Sequence, residues 1–127
     1  MGGIASVISP ESIVMDVTPE RLGGNYTANI TFNYFKCIKN GRFVTLCGQF
    51  IPSETFTSTT SYVRYRMPFV ANAPSTGLMF VINNGKTGGF IINAGNNVET
   101  VQFSGILSDL TYIQANQIVN FSISYIS

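Results

Sequence analysis

Six carboxylates are the residues from which hydrolytic chemistry could be built, because a glycoside hydrolase needs only two of them at a defined separation. Most of the six fall at the ends of predicted strands, and none lies in a pattern typical of an acid–base pair. We interpret them as solvated or turn-forming acids. A surface-glycan hydrolase that uses two of them is kept as an alternative hypothesis. They are Glu11, Asp16, Glu20, Glu54, Glu99 and Asp109.

Histidine is absent from the chain, which removes every nucleophile system and metal site that depends on an imidazole. Two cysteines alone do not make a structural zinc site. The segment Gly85-Lys86-Thr87 resembles the end of a phosphate-binding loop, but Phe80 stands where such a loop requires its first glycine. We therefore expect no enzyme activity, no cofactor and no metal site.

An aromatic and cationic segment covers residues 62–67. In a strand, Tyr62, Arg64 and Arg66 would share one face because side chains alternate. They could form a ligand-binding surface, since Tyr and Arg are enriched among binding hot spots. We favour the alternative, a row of arginines that faces solvent or a neighbouring subunit. The candidate subunit-interface residues are Tyr62, Arg64, Arg66 and Phe43.

The charge balance limits the possible partners. Charged residues make up 10% of the chain, against a usual value of about 25%. With a net charge of +1, the sequence has no electrostatic footprint for nucleic acid or an anionic membrane. No segment approaches the ~20 apolar residues of a membrane-spanning helix. Hydrophobic residues nevertheless reach 45%, so we expect contacts between subunits to cover the apolar excess.

The polar residues are mostly uncharged. Ser, Thr and Asn each occur 12 times, against 13 charged residues in total. Together with abundant glycine, this composition suits loops that form hydrogen bonds with sugars or with neighbouring chains.

A predicted β-hairpin covers residues 32–50. Two runs of β-forming residues flank Asn40-Gly41, which is the strongest short-range hairpin pattern. A two-residue turn there would place Cys37 opposite Val44. Both faces would be largely apolar, whereas a surface hairpin normally has one polar face. We therefore expect burial on both sides, inside a sandwich or between subunits. One face would carry Phe35, Cys37, Val44 and Leu46, and the other Phe32, Tyr34, Ile38, Phe43 and Cys47.

The two cysteines are expected to be free. Cys37 and Cys47 would lie on opposite faces of the hairpin, because successive side chains alternate along a strand. We expect two buried thiols that pack as small apolar residues, which fits folding in a reducing cytoplasm.

The whole chain consists of strand and turn patterns. Eight short strands separated by Gly, Asn and Pro clusters predict an all-β fold, an antiparallel β-sandwich of the jelly-roll or a related Greek-key type. Residues 1–10 are predicted to be an attachment segment, and residues 11–127 the sandwich domain. The eight predicted strands are residues 12–17, 26–38, 42–50, 61–67, 77–82, 89–93, 98–103 and 118–126.

Antiparallel neighbours would sort the connections between two ends of the domain. Loops 39–42, 68–77 and 94–97 would share one end with both termini. Loops 18–25, 51–60, 83–88 and 104–117 would share the other end, which is distal if the N-terminus is tethered. Function concentrates on loops that a rigid scaffold holds. The candidate receptor-binding residues at that distal end are Arg21, Asn25, Glu54, Thr57, Asn84, Lys86, Asp109 and Tyr112.

Three motifs, in order, resemble the C-terminal head domains of tailed-phage tail fibres and receptor-binding proteins. In those domains an aromatic-Lys-x-Gly turn precedes a V-x-L-x-G strand, which here is Val44, Leu46 and Gly48. Met67-Pro68 resembles the Leu-Pro of a following L-P-x-G-(F/Y)-R-P element, although the rest of that element is absent. The closing residues 121–127 resemble the usual last strand, which ends in an I-S-Y type motif.

The resemblance implies a homotrimeric β-sandwich head at the tip of a virion tail, synthesised in the host cytoplasm. Such a head would bind a bacterial surface saccharide or protein and would contact other virion tail proteins. Our second hypothesis is a structural virion component of the same fold class, in a baseplate, decoration or capsid spike, with no receptor. Neither hypothesis involves nucleic acid or insertion into a membrane.

Overall fold

The computed structural model describes residues 12–57, 61–92, 98–106 and 112–127, with the backbone alone for residues 88–92 and 98–106. These residues form an all-β fold of antiparallel strands, as predicted, but with eleven strands instead of eight. The strands are β1 (Ser12–Asp16), β2 (Arg21–Gly24), β3 (Ile30–Asn40), β4 (Phe43–Pro52), β5 (Phe56–Thr57), β6 (Tyr62–Ala71), β7 (Ser75–Val81), β8 (Thr87–Ile92), β9 (Val98–Ile106), β10 (Tyr112–Ile113) and β11 (Val119–Ile126).

Nine of these strands form one continuous sheet, in the order β1-β3-β4-β11-β7-β8-β9-β6-β2. The sheet folds over on itself, because the Phe32 ring of β3 packs edge-on against the Tyr65 ring of β6, 5.0 Å away. A second contact joins the layers where the Tyr125 hydroxyl of β11 donates a hydrogen bond to the Phe69 carbonyl of β6. The result is a sandwich-like arrangement with a single apolar core.

The core residues alternate along each strand, as period-2 patterns require. In β4, Val44, Leu46 and Phe50 are buried, and in β11 the alternate residues from Val119 to Tyr125 are buried. From the opposite layer, β6 contributes Val63, Tyr65 and Met67. This confirms the predicted faces of the last strand and of residues 62–67.

The β3–β4 hairpin forms, but its turn is one residue later than predicted. Asn40 pairs with Phe43, so the two turn residues are Gly41 and Arg42. Gly41 has a φ of +62°, which glycine adopts without a steric cost. Cys37 consequently pairs with Leu46 rather than with Val44. Because the shift moves each partner by two residues, every side chain keeps its predicted face, with one exception.

The exception is Phe32, which was predicted to lie on the outer face. The register of β3 against β4 shifts between Phe32 and Tyr34, and this bulge at Asn33 turns the Phe32 side chain inward. The Phe32 ring stacks on Phe35 at 5.4 Å and also contacts the ring of Phe50. The sequence gives no local sign of a bulge at this position.

Within the described residues, the hairpin is buried on one side only. Cys37 is fully buried, but Phe43 on the outer face is 68% exposed, and Tyr34 and Ile38 are exposed as well. Both cysteines are free, and Cys47 lies half-buried on the outer face. The described residues do not cover the second face, and contact between subunits at this face stays a prediction.

Residues 17–20 connect the two edge strands of the sheet. They were predicted to be part of a loop at the distal end. Instead the chain leaves β1, where the Val17 amide donates to the Phe35 carbonyl, and crosses to the other layer. There the Arg66 amide donates to the Glu20 carbonyl, and the Arg66 side chain forms an ion pair with the Glu20 carboxylate at 2.6 Å. This crossing segment holds the two edges of the sheet next to each other.

Gly48 is the tightest glycine of the hairpin. A Cβ at this position would lie 2.5 Å from the Tyr34 carbonyl oxygen and 2.6 Å from Phe121 Cζ. We predict that Gly48→Ala lowers the free energy of unfolding by about 3 kcal/mol, because the backbone oxygen cannot move away cheaply. Ser122→Ala, on the exposed face of β11, is the control and should change it by less than about 0.5 kcal/mol. Urea denaturation measures both, and equal effects would contradict the packing described here.

Burial raises the pKa of the Tyr125 hydroxyl, and the nearby Cys37 acts in the same direction. The folded chain thus holds this proton more tightly than the unfolded chain, so stability falls as pH rises above about 10, where the unfolded phenol ionises. At pH 7, Tyr125→Phe should cost about 1–2 kcal/mol, because it leaves the Phe69 carbonyl without its donor. The difference from the wild type should shrink above pH 10 in urea titrations. A constant difference would contradict this account, and exposed Tyr34→Phe serves as the control at pH 7.

Candidate binding surfaces

Apart from residues 17–20, the strand directions sort the described loops as predicted. The β3–β4 turn and residues 72–74 lie at one end, together with the start of β1 and the C-terminal Ser127, whose carbonyl accepts from Arg42 Nε at 3.1 Å. Residues 25–29, 53–55 and 82–86 lie at the opposite end. We call this second end the distal end.

Three of the candidate receptor-binding residues surround Tyr26 near the distal end. The Arg21 guanidinium donates to the carbonyls of Tyr26 and Ala28 and lies 5.7 Å from the centroid of the Tyr26 ring. The Tyr26 hydroxyl donates to the Glu54 carbonyl at 2.6 Å. The Asn25 side-chain oxygen accepts from the Tyr62 amide at 2.7 Å. These contacts hold the 25–29 loop against the start of β6.

The other candidates form two smaller groups at the same end. Thr57 of β5 pairs with Tyr112 of β10, and both side chains are exposed. Asn84 and Lys86 lie in the turn between β7 and β8, where the Asn84 side-chain oxygen accepts from the Lys86 amide at 2.9 Å. Asp109 lies outside the described residues. The sequence thus placed the described candidates near one end, although they do not form one continuous site.

The four candidate interface residues do not form one surface. Tyr62, Arg64 and Arg66 point outward from β6, with the Arg64 guanidinium 5.7 Å from the Tyr62 ring centroid. Phe43 points outward from β4, in the other layer. Sequence reasoning gives the face of each strand but not the layer to which the strand belongs, so it could not separate these two groups.

The outer face of the layer formed by β1, β3, β4, β11 and β7 carries two exposed apolar areas. The first contains Val14, Tyr34, Ile38 and Phe43, and the second contains Leu78, Phe80 and Ile82. Val14 and Leu78 are the most exposed, at 70% and 69%. Neither area has a covering element within the described residues.

A polar strip on β4 and β11 separates the two apolar areas, and its side chains bond to one another. Thr45 and Ser124 share a hydrogen bond of 2.9 Å between their hydroxyls. The Gln49 amide donates to the Asn120 side-chain oxygen, also at 2.9 Å, and accepts from Asn33. The strip is therefore an ordered ladder of polar side chains on a face that is otherwise apolar.

A groove with a volume of about 730 Å³ was missed by the sequence reasoning. It lies at the edge of the sheet, between residues 16–21 on one side and residues 29–36 on the other. Phe32 and Tyr65 lie at its base. No local sequence pattern could have revealed it, because the groove depends on where β1 stops pairing with β3.

The groove has polar walls. Asp16 forms an ion pair with Lys36 at one end, and Arg21 lies at the other. Thr18, Asn29 and Asn33 supply further uncharged polar groups. Burial raises the pKa of Tyr65 at the base, so its phenol stays neutral at physiological pH.

The described side chains show no arrangement typical of a catalytic or metal site. Asp16 and Glu20 are each paired with a cation, and Glu54 is exposed, while Glu11 and the side chains of Glu99 and Asp109 lie outside what is described. Within the same residues no group of three or more His, Cys, Asp or Glu side chains is placed to hold a metal ion. The described part of the chain likewise contains no helix of the length and hydrophobicity needed to cross a bilayer.

No known family model matches this sequence, and comparisons with characterised proteins and with solved structures give no match. The class of protein that the structure defines is an all-β, antiparallel, sandwich-like domain.

Proposed function

We propose that this chain is the head domain of a phage or prophage tail fibre. In this proposal it is a homotrimer of jelly-roll-like sandwiches that attaches the virion tail tip to a saccharide or protein on a bacterial surface. The order of motifs along residues 30–127 supports the proposal. The single observation that carries it is the exposed apolar outer face of the layer formed by β1, β3, β4, β11 and β7.

This face is too apolar to be an ordinary solvent-exposed surface. Seven large apolar side chains lie in its two apolar areas, and each aliphatic or aromatic side chain that becomes buried contributes about 1.5–3 kcal/mol. Contiguous apolar patches of this kind mark interaction sites on soluble proteins. A second copy of this chain is the partner that we propose for this face. Its own low-charge surface would cover the apolar side chains without burying an unpaired charge.

The division of the face favours a ring over a two-fold dimer. In a cyclic trimer each chain contacts its two neighbours through two different areas, whereas a two-fold dimer uses one area twice. The first apolar area on β1, β3 and β4 and the second on β7 are two such areas. The polar strip between them would face the trimer axis, where its side chains already form hydrogen bonds with one another.

Trimer formation also suits weak attachment to a surface. The distal loops carry uncharged polar side chains together with Lys86 and Tyr112, which is typical of low-affinity recognition of surface groups. Three linked copies raise the overall affinity by avidity, without any new contact in a single site.

We predict a solution mass of three times 13.8 kDa for the wild type at micromolar concentration, measured by light scattering. The double variant Phe43→Ser with Leu78→Ser should fall to the monomer mass, because it removes one large side chain from each apolar area. Leu22→Ser is the matched control, since Leu22 is also exposed but lies on β2 in the other layer. A natively folded wild-type monomer would overturn the trimer.

Thiol reactivity gives an independent measure of the same interface. Cys47 lies on the outer face, whereas Cys37 is buried in the core, where burial raises the pKa of its thiol. In the trimer both thiols should react slowly with a thiol reagent, and in the double variant Cys47 alone should become fast. Rapid modification of Cys47 in the wild type would contradict a covered face.

For attachment, we predict that the fluorescently labelled wild type binds to cells of at least one bacterial strain in a panel. Lys86→Ala combined with Tyr112→Ala, at the distal end, should weaken that binding at least about tenfold, as expected for loss of binding hot spots multiplied by avidity. Asn72→Ala with Thr76→Ala, exposed near the opposite end, should have no effect. A stable trimer that binds no cells in the panel would favour the structural virion component instead.

A further inference from the structure

We propose that the groove between β2 and β3 is a binding site for an acidic saccharide, in which Arg21 receives the carboxylate and the side chains of the walls receive the ring hydroxyls. The bacterial origin of the saccharide rests on the proposed attachment function. The preference for an acidic saccharide rests on the chemistry of the groove alone.

The groove exists because two strand edges face each other without pairing. β1 pairs with β3 only as far as Lys36, and the Val17 amide makes the last hydrogen bond, to Phe35. At residues 30–34, no described strand pairs with β3 on the side away from β4. On the opposite wall, β2 is the last of the described strands of the sheet and among them pairs only with β6. Residues 17–20 join the two walls. Because both walls include strands, the shape of the groove does not depend on a mobile loop.

Arg21 gives the groove a positive charge with which no described carboxylate forms an ion pair. Its guanidinium donates to the carbonyls of Tyr26 and Ala28, which fix its position but do not neutralise it. These bonds use two of the five N–H donors of an arginine. No carboxylate among the described side chains forms an ion pair with Arg21, whereas Asp16 at the far end of the groove is already paired with Lys36. An anionic group could therefore accept hydrogen bonds from the remaining N–H donors of Arg21.

The rest of the groove matches a sugar ring. Asn29 and Thr18 offer both donors and acceptors, which hydroxyl groups require. The ring of Phe32, packed against Tyr65, gives the base an apolar surface for the C–H face of a sugar. The volume of about 730 Å³ is large enough for a short oligosaccharide. A purely apolar ligand would leave the wall amides unpaired, and a polyanion would meet Asp16.

The test is an amide chemical-shift titration of the ¹⁵N-labelled full chain with glucuronate, galacturonate and N-acetylneuraminate, each compared with glucose and galactose. At least one acid should shift the amides of residues 16–21 and 29–36. That acid should bind about tenfold or more tightly than the neutral sugars, the factor expected from a charge-assisted hydrogen bond. If no acid shifts these amides, or if acids and neutral sugars bind equally, the proposal is wrong.

Variants then assign the selectivity to Arg21. Arg21→Gln should reduce binding of the acid to the level of the neutral sugars, while Arg42→Gln, which removes the same charge in the β3–β4 turn and outside the groove, should leave the preference intact. Because Arg21 also supports the 25–29 loop, Asn29→Ala is a second variant that should weaken acidic and neutral sugars alike. Loss of the preference in Arg42→Gln would mean that net charge, and not the groove, selects the ligand.

The outcomes separate this inference from the proposed function. The titration uses the chain alone and no cells, so binding of an acid in the groove without attachment to bacteria would keep the site and reject the tail-fibre role. Attachment to bacteria that is unchanged in Arg21→Gln and Asn29→Ala would keep the tail-fibre role and reject the groove as its receptor site.

Discussion

The packing of Phe32 against Tyr65 is the contact on which the arrangement of the two layers depends. Phe32 also lies within 6.2 Å, centroid to centroid, of the rings of Phe35, Phe50 and Phe121, so one side chain joins β3, β4, β11 and β6. Aromatic pairs in these edge-on and tilted arrangements stabilise a core by about 0.5–1.5 kcal/mol each beyond the burial of their area. The continuous sheet can fold over because this cluster fills the space between its two halves.

The same contact accounts for the groove. Phe32 reaches the core only because the bulge at Asn33 inserts a residue into β3 and reverses the facing of the strand. Bulges increase the local twist and interrupt pairing, and they occur often beside binding sites. Next to this bulge the chain leaves β3 after β1 and crosses to β6. Residues 30–34 of β3 are therefore left as an open edge among the described strands. The core contact and the candidate saccharide site thus have one structural origin.

The outer face and the distal loops divide the proposed function between two parts of the surface. The apolar areas lie on strands, where positions are rigid and a subunit contact can be repeated with the same geometry. The polar candidates lie mostly on loops, which tolerate changes in sequence without loss of the core. In the proposed function, assembly and recognition would use separate surfaces, so that the loops could change while the oligomer is maintained.

The amino-acid sequence by itself determined the strands, because alternation with a period of two and Gly or Asn turns are local properties. It placed the faces of residues 62–67 and of the last strand correctly, and it placed the turn of the hairpin one residue too early. It missed β2, β5 and β10, which are short and owe their pairing to distant partners rather than to their own pattern.

Tertiary structure decided everything that depends on which strands meet. The inward turn of Phe32, the layer of Phe43 relative to Arg64, and the crossing of residues 17–20 all follow from contacts between residues far apart in the chain. The groove beside Arg21 has the same origin, since its walls become neighbours only after the sheet folds over. Local periodicity specifies the face of a side chain, but only the packing of the core specifies what that face meets.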